Sequence, residues 1–96
     1  MTKVLQVTIY KTISDEAKLA AYAELAGPAM VAAGAKFLAR GVPVAVKEDG
    51  KKTRTVVVEW ESLEAAEAGY NSEAYQEALA KLEGTAVREF RYVPAV

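Results

Sequence analysis

The chain contains 96 residues, with 12 basic and 13 acidic side chains and a formal charge of −1 at pH 7. These charges are spread along the chain without a basic stripe, so we expect neither a nucleic-acid-binding surface nor attachment to an anionic membrane. The sequence has no cysteine and no histidine, which excludes disulfides, thiolate metal sites, a thiol nucleophile and a histidine base or haem ligand. We therefore expect no metal and no cofactor.

The length fits one domain over residues 1–96. No stretch approaches the roughly 20 apolar residues that a membrane-spanning helix needs. The opening segment MTKVLQVTIY is typical of a strand and lacks the apolar core and cleavage site of a signal peptide. We therefore expect a cytoplasmic protein.

The first predicted element is a strand over residues 3–10, because its side chains alternate between two faces. The strongly apolar face carries Leu5, Val7 and Ile9, and the other face carries Val4, Gln6, Thr8 and Tyr10.

A helix follows, with Ser14 as its predicted N-cap and two acidic residues in the first turn. Its core-facing stripe consists of Leu19, Tyr22, Ala26, Met30 and Ala33. Gly27 and Pro28 lie inside it and predict a kink or a break into two pieces, since proline cannot donate a helical hydrogen bond. Gly34 is predicted to end the helix.

Residues 35–47 read as a second strand that contains Gly41 and Pro43, which predicts a position at a sheet edge or a bulge. A turn around Asp49 and Gly50 leads to a third strand, TRTVVVEWE, over residues 53–61. Its run of three valines indicates burial on both faces and hence a central position.

The segment after the third strand predicts two short helices, with Ser62 and Ser72 as their N-caps. The interruption GYNS over residues 69–72 separates them. Gly84 ends the second of these helices, and TAVREFRYV forms a last strand that stops at Pro94.

This order of elements predicts an α+β, ferredoxin-like βαββαβ sandwich, with an antiparallel sheet of order 4-1-3-2 and helices on one face. The other face, with residues such as Val4, Thr8 and Val57, needs a cover. A second sheet about 10 Å away would provide it. We therefore expect a homodimer through the sheet faces, a dimeric α/β barrel.

Arg40 and Glu59 are the first candidate site residues. A two-residue turn at Asp49 and Gly50, or a four-residue turn over residues 48–51, would place them directly opposite each other on one face of the sheet. A three-residue loop or a bulge at Pro43 would shift the register and break this pairing. A bidentate arginine–carboxylate pair is tolerated in such a covered position. The pair either fixes the register and dimer geometry or forms the polar floor of a ligand pocket.

Aromatic residues form the second candidate group. Such amphipathic rings near helix breaks line ligand pockets or fill the layer between helices and sheet, and their spacing does not separate the two. The free backbone donors of a helix that starts at Ser72 would suit an anion. The rings concerned are Tyr22, Trp60, Tyr70 and Tyr75.

The remaining arginines are expected to be solvated or to lie at an interface. Arg88 and Arg91 lie on opposite faces of the last strand, so at most one of them points at any one cavity. Arg54 follows Lys51 and Lys52 near the predicted hairpin tip, which is typical of a solvated charge.

Four stretches carry a family resemblance: GAKFLARG, RTVVVEW, SLEAAEAGYNSEAYQEAL and REFRYV. In this order they resemble small bacterial proteins of the family called domain of unknown function 1330. The resemblance implies a dimeric α/β barrel and does not indicate an activity. Trp60 stands where phenylalanine is more usual, and Gly69 where a bulkier residue is common. The family-type positions are Tyr22, Pro28, Gly34, Arg40, Gly41, Glu59, Ser62, Tyr70, Ser72, Tyr75 and Gln76.

Three functions remain open from the sequence. The first is a dimer that binds a small organic molecule between sheet and helices. The second is a cofactor-free enzyme of monooxygenase or isomerase type, by fold-level analogy, with Glu59 or a tyrosine as acid or base and Arg40 stabilising an enolate or carboxylate. The third is a structural or interaction module without a ligand.

Overall fold

The computed structural model describes residues 2–96. Its strands pair in the order β2-β3-β1-β4, and all three pairings are antiparallel. This is the predicted ferredoxin-like order read from the opposite edge. Among residues 2–96, the helices are too short or too polar to cross a bilayer. The elements are β1 Val4–Ile13, α1 Glu16–Ala32, β2 Lys36–Gly41, β3 Thr55–Trp60, α2 Leu63–Tyr70, α3 Glu73–Leu82 and β4 Ala86–Pro94.

The start of α1 differs from the prediction by one residue. Asp15, not Ser14, is the N-cap, and its carboxylate accepts from the backbone N–H groups of Ala17 and Lys18 at 3.0 and 3.1 Å. Ser14 instead donates to the carbonyl of Thr85 through its backbone N–H (2.7 Å) and its hydroxyl (2.9 Å). Ser14 therefore joins the end of β1 to the start of β4.

The predicted break inside α1 is wrong, because the helix continues through Pro28 as far as Ala32. Pro28 and Glu24 both lie on the exposed side of the helix. Water can there replace the hydrogen bond that the proline cannot donate. The helix ends as predicted at Gly34, whose φ of 107° favours glycine.

The interruption between α2 and α3 is built as predicted. The Ser62 hydroxyl caps α2 by accepting from the Ala65 N–H at 3.1 Å. The Ser72 hydroxyl caps α3 by accepting from the Tyr75 N–H at 3.2 Å, and it donates to the carbonyl of Gly69 at 2.8 Å. The Ser72 side chain therefore forms hydrogen bonds with backbone groups on both sides of the break, at the end of α2 and at the start of α3.

The connection between β2 and β3 corrects the predicted hairpin. β2 ends at Gly41, and residues 42–54 form an irregular segment instead of a tight turn. A register shift between Phe37 and Ala39 adds to the change, so Arg40 lies opposite Val56. Glu59 pairs with Lys36, and the predicted pairing of Arg40 with Glu59 is wrong.

The two faces of the sheet also differ from the prediction. Val4 and Thr8 lie under the helices, where they are buried. Val57 of β3 and the apolar residues Leu5, Val7 and Ile9 of β1 point to the opposite side of the sheet. They form the outer face, which the helices leave uncovered. The most buried large side chains lie in the layer between the helices and the covered face: Trp60, Tyr75, Val58 and Thr8.

Candidate ligand-binding site

A cavity of about 40 Å³ lies between α1 and the covered face of the sheet. Since one water molecule needs roughly 10–15 Å³ by this measure, the cavity has room for about three waters or one small ligand group. Its lining comes from α1 and all four strands or their flanks: Gln6, Thr8, Tyr10, Tyr22, Ala23, Ala26, Gly27, Met30, Phe37, Arg40, Arg54, Val56 and Arg88.

Three arginines surround this cavity without a carboxylate partner. Arg40 comes from β2, Arg54 precedes β3, and Arg88 comes from β4. The ion pairs found among residues 2–96 involve none of them, and no acidic side chain lines the cavity. The Nε of Arg54 is buried and has no hydrogen-bond partner among the described residues. An arginine remains charged throughout the physiological pH range, so the cavity is lined by positive charge without a carboxylate, with Arg54 and Arg88 half-buried and Arg40 exposed to solvent.

Aromatic rings hold the three guanidinium groups. The guanidinium carbons of Arg54 and Arg88 lie 5.8 and 5.6 Å from the centre of the Tyr10 ring. That of Arg40 lies 5.0 Å from the centre of the Phe37 ring. Cation–π contacts of this length position the cations and leave their N–H donors available.

Two tyrosines meet beside the cavity. The hydroxyls of Tyr22 and Tyr75 are 2.7 Å apart, and Nη1 of Arg88 donates to the Tyr22 hydroxyl at 3.2 Å. Burial raises the pKa of Tyr22 well above its usual value, Tyr75 raises it further, and the charge of Arg88 opposes both. Tyr22 is therefore neutral at physiological pH and acts as a hydrogen-bonding group.

Trp60 reaches the cavity through two other side chains. Its Nε1 donates to Oε1 of Gln6 at 3.0 Å, and Nε2 of Gln6 donates to the Thr8 hydroxyl at 3.0 Å. The indole packs against Gly69 so closely that a Cβ there would lie 2.6 Å from Cη2 of Trp60. Trp60 and Gly69 therefore fit each other.

The chain matches a known family over nearly its whole length. The sequence model described as "Domain of unknown function (DUF1330)" covers residues 3–96. The chain belongs to this DUF1330 family. The resemblance of the sequence motifs is thereby confirmed, and no curated protein sequence matches the chain.

Solved structures share the fold of this DUF1330 protein at low sequence identity. A protein of unknown function from Rhodopseudomonas palustris aligns with a TM-score of 0.76 and 14% identity over 99% of this chain and 83% of that chain. A mutant form of SnoaB, a cofactor-independent oxygenase from Streptomyces nogalater, aligns with a TM-score of 0.68 and 13% identity over 97% and 92%. A dimeric ferredoxin-like protein of unknown function from Thermobifida fusca aligns with a TM-score of 0.64 and 16% identity over 98% of this chain and 92% of that chain. At such identities these alignments establish the fold alone.

The structure of the DUF1330 protein separates the predicted site residues into groups. Tyr22 and Arg40 line the cavity, whereas Tyr75 and Trp60 lie one hydrogen bond behind it. Glu59 lies on the outer face, 3.5 Å from Nζ of Lys3.

Tyr70 and Ser72 do not line this cavity. The centre of the Tyr70 ring lies 5.2 Å from that of Tyr75 in a tilted arrangement and 5.5 Å from that of Phe90 in an edge-to-face one. It borders a separate open groove of about 560 Å³ between the end of α2 and β4. Ser72 serves as the α3 cap.

Sequence reasoning missed Arg54 and Arg88, together with the polar side chains on β1. Strand parity contains the signal that could have found Arg54, because it lies two residues before Val56 and therefore on the covered face. Arg88 shares its parity with Phe90, whose ring is 5.5 Å from the Arg88 guanidinium carbon. Arg91 has the opposite parity and pairs with Glu89, so the prediction that Arg88 and Arg91 face opposite ways is confirmed.

Proposed function

We propose that this DUF1330 protein binds a small organic anion, a carboxylate or an enolate, in the cavity beneath α1. The supporting observation is the group of three arginines without an acidic partner, one of which has a buried and unpaired Nε. A buried donor without a partner costs about 1–3 kcal/mol, which an anionic ligand would recover. Charge-assisted hydrogen bonds to guanidinium are also among the stronger ones in proteins.

The outer face of the sheet supports the proposal of a homodimer. Leu5, Val7 and Ile9 lie there beside Val57, and the helices do not cover them. Contiguous apolar surface of this kind marks interaction sites. Packing against a second copy would bury it, and the similar proteins from Thermobifida fusca and Bacteroides fragilis are described as dimeric.

A cofactor-free enzyme is the second candidate. The same arginines would stabilise an enolate oxygen that develops charge during a reaction, and one protein of similar fold is described as a cofactor-independent oxygenase. Neither the glutamate nor the tyrosine proposed as the catalytic base supports an enzymatic function. Glu59 is on the other face of the sheet, and burial raises the pKa of Tyr22. Binding is therefore our first proposal and turnover the alternative.

Thermal unfolding with simple carboxylates tests the proposal. Formate, acetate, propionate and benzoate would be added to wild type at constant ionic strength, with neutral acetamide as the control ligand. A ligand present at 100 times its Kd stabilises the folded state by about 2.7 kcal/mol. We expect the smaller carboxylates to raise the Tm, because the cavity of about 40 Å³ admits them without rearrangement.

Two variants locate the effect. Arg54→Gln should abolish the carboxylate-dependent increase in Tm. Lys18→Gln removes the same charge from an exposed position on α1 and should leave it intact. An equal response to acetamide, or an unchanged response of Arg54→Gln, would contradict the proposed site. The absence of any carboxylate response would favour an interaction module without a ligand.

A further inference from the structure

The hydroxyls of Tyr22 and Tyr75 share a single hydrogen bond of 2.7 Å. Only one of their two protons can lie in it, so the other needs an acceptor elsewhere. Nη1 of Arg88, 3.2 Å from the Tyr22 oxygen, has no lone pair to offer and can only donate. The surroundings of each hydroxyl therefore decide which tyrosine is the donor.

Tyr75 has no other acceptor for its proton. Its side chain is 2% exposed, and its hydroxyl meets the Tyr22 hydroxyl and the Arg88 guanidinium, of which only the tyrosine can accept a hydrogen bond. The void beside it measures about 10 Å³ and is bordered mainly by aromatic and aliphatic side chains. Such a void is at or below the limit for one water molecule. A Tyr75 proton that pointed away from Tyr22 would therefore be buried without a partner, which is costly.

Tyr22 is placed differently, because it lines the cavity of about 40 Å³. A water molecule or a ligand atom in that space can accept its proton. Both hydroxyls are satisfied when Tyr75 donates to Tyr22 and Tyr22 donates into the cavity. The opposite direction satisfies only one of them.

We infer that Tyr22 is the neutral hydrogen-bond donor to the bound anion and that Tyr75 is a positioning residue which fixes this direction. The inference rests on the proposed function, because it assigns a role within the same cavity. Because Arg88 also lines the cavity, the inference restricts the ligand to an oxyanion that accepts hydrogen bonds from a phenol and a guanidinium group at the same time. Carboxylate and enolate oxygens have this capacity.

Calorimetric titration with acetate tests the inference on wild type, Tyr22→Phe and Tyr75→Phe. Both substitutions keep the ring and remove only the hydroxyl. Loss of a donor to a charged group should weaken acetate binding by Tyr22→Phe about 10- to 100-fold. Tyr75→Phe leaves the Tyr22 proton able to turn toward the ligand but no longer held in that direction, and should weaken binding by no more than about threefold.

The opposite donor direction gives a different pattern. Tyr75→Phe would then release the Tyr22 proton toward the ligand and tighten acetate binding, which would overturn the inference. An unchanged affinity of Tyr22→Phe would do the same. Should Tyr22→Phe fail to fold, as judged by circular dichroism, the sign of the Tyr75→Phe effect alone decides.

Failure of the inference and failure of the proposed function are distinguishable. If wild type binds acetate, Arg54→Gln loses it and Tyr22→Phe retains it, then the anion site stands and the role of Tyr22 is refuted. If wild type binds none of the four carboxylates, both are refuted. Weakened binding in Tyr22→Phe together with near wild-type binding in Tyr75→Phe supports both.

Discussion

Gly69 provides the sharpest test of how Trp60 is accommodated. A methyl group at position 69 would lie 2.6 Å from Cη2 and 3.0 Å from Cζ3 of the indole, and 3.3 Å from Cβ of Ala33. The indole is 2% exposed and is held by its hydrogen bond to Gln6, so it cannot move away freely. We expect Gly69→Ala to destabilise the protein through overpacking.

The magnitude follows from two opposing contributions. Overpacking of a well-packed core costs about 1–3 kcal/mol, whereas alanine is favoured over glycine in a helix by about 1 kcal/mol. Gly69 is the second-to-last residue of α2 and has no positive φ, so alanine there gains helix propensity without backbone strain. The net loss in the free energy of unfolding should be about 0–2 kcal/mol, or up to roughly 16 °C in Tm for a domain of this size.

A double-mutant cycle with Trp60→Phe isolates the contact. The smaller ring leaves room for the methyl, so Gly69→Ala in that background should be neutral or stabilising by up to about 1 kcal/mol. The coupling energy should therefore be about 2 kcal/mol. Urea unfolding followed by far-UV circular dichroism is the assay, because Trp60 is the only tryptophan. Protomer concentration must be held constant. Equal effects of Gly69→Ala in both backgrounds would refute the reasoning.

Three further predictions concern other parts of the molecule. Ser72→Ala should lower the free energy of unfolding by about 1 kcal/mol, because it removes the α3 cap; an unchanged urea midpoint would contradict this. An unfolded tyrosine ionises near pH 10, whereas burial raises the pKa of Tyr92 to about 12 and that of Tyr22 further. Stability should therefore be complete below about pH 10 and fall as the pH rises through about 12. Tyr92→Phe should make that decline in the urea midpoint shallower, and an identical decline would count against the assignment. Val7→Glu on the outer face should give monomers or unfolded protein in analytical ultracentrifugation, because a dimer would bury the charge. Leu25→Glu on the exposed side of α1 should remain dimeric; dimers of Val7→Glu would exclude this interface.

The features that local chemistry determines were predictable from the sequence. Ser62 and Ser72 cap their helices as expected, because an N-cap depends on only a few neighbouring backbone groups. The sheet order followed from the sequence of elements and the handedness of their connections. The alternation of β1 also predicted correctly which side chains share a face.

Properties that depend on distant parts of the chain were not predictable in the same way. Predicting which residue pairs with Arg40 depends on the length of the β2–β3 connection and on the register shift at Phe37. Neither of these has a strong local signal in the sequence. Predicting which face of β1 is covered required knowing on which side of the sheet the helices pack. Arg54 was assigned to solvent because two lysines precede it, although its parity with Val56 places it in the cavity.

The pleat of β1 serves two surfaces with alternate residues. Gln6, Thr8 and Tyr10 face the cavity, while Val7 and Ile9 face the side that we propose to meet the partner chain. Deleting or inserting one residue near the start of this strand would exchange the two sets, so that polar groups would enter the subunit contact and aliphatic ones would replace the cavity floor. A single-residue insertion or deletion at this point would therefore remove both surfaces together.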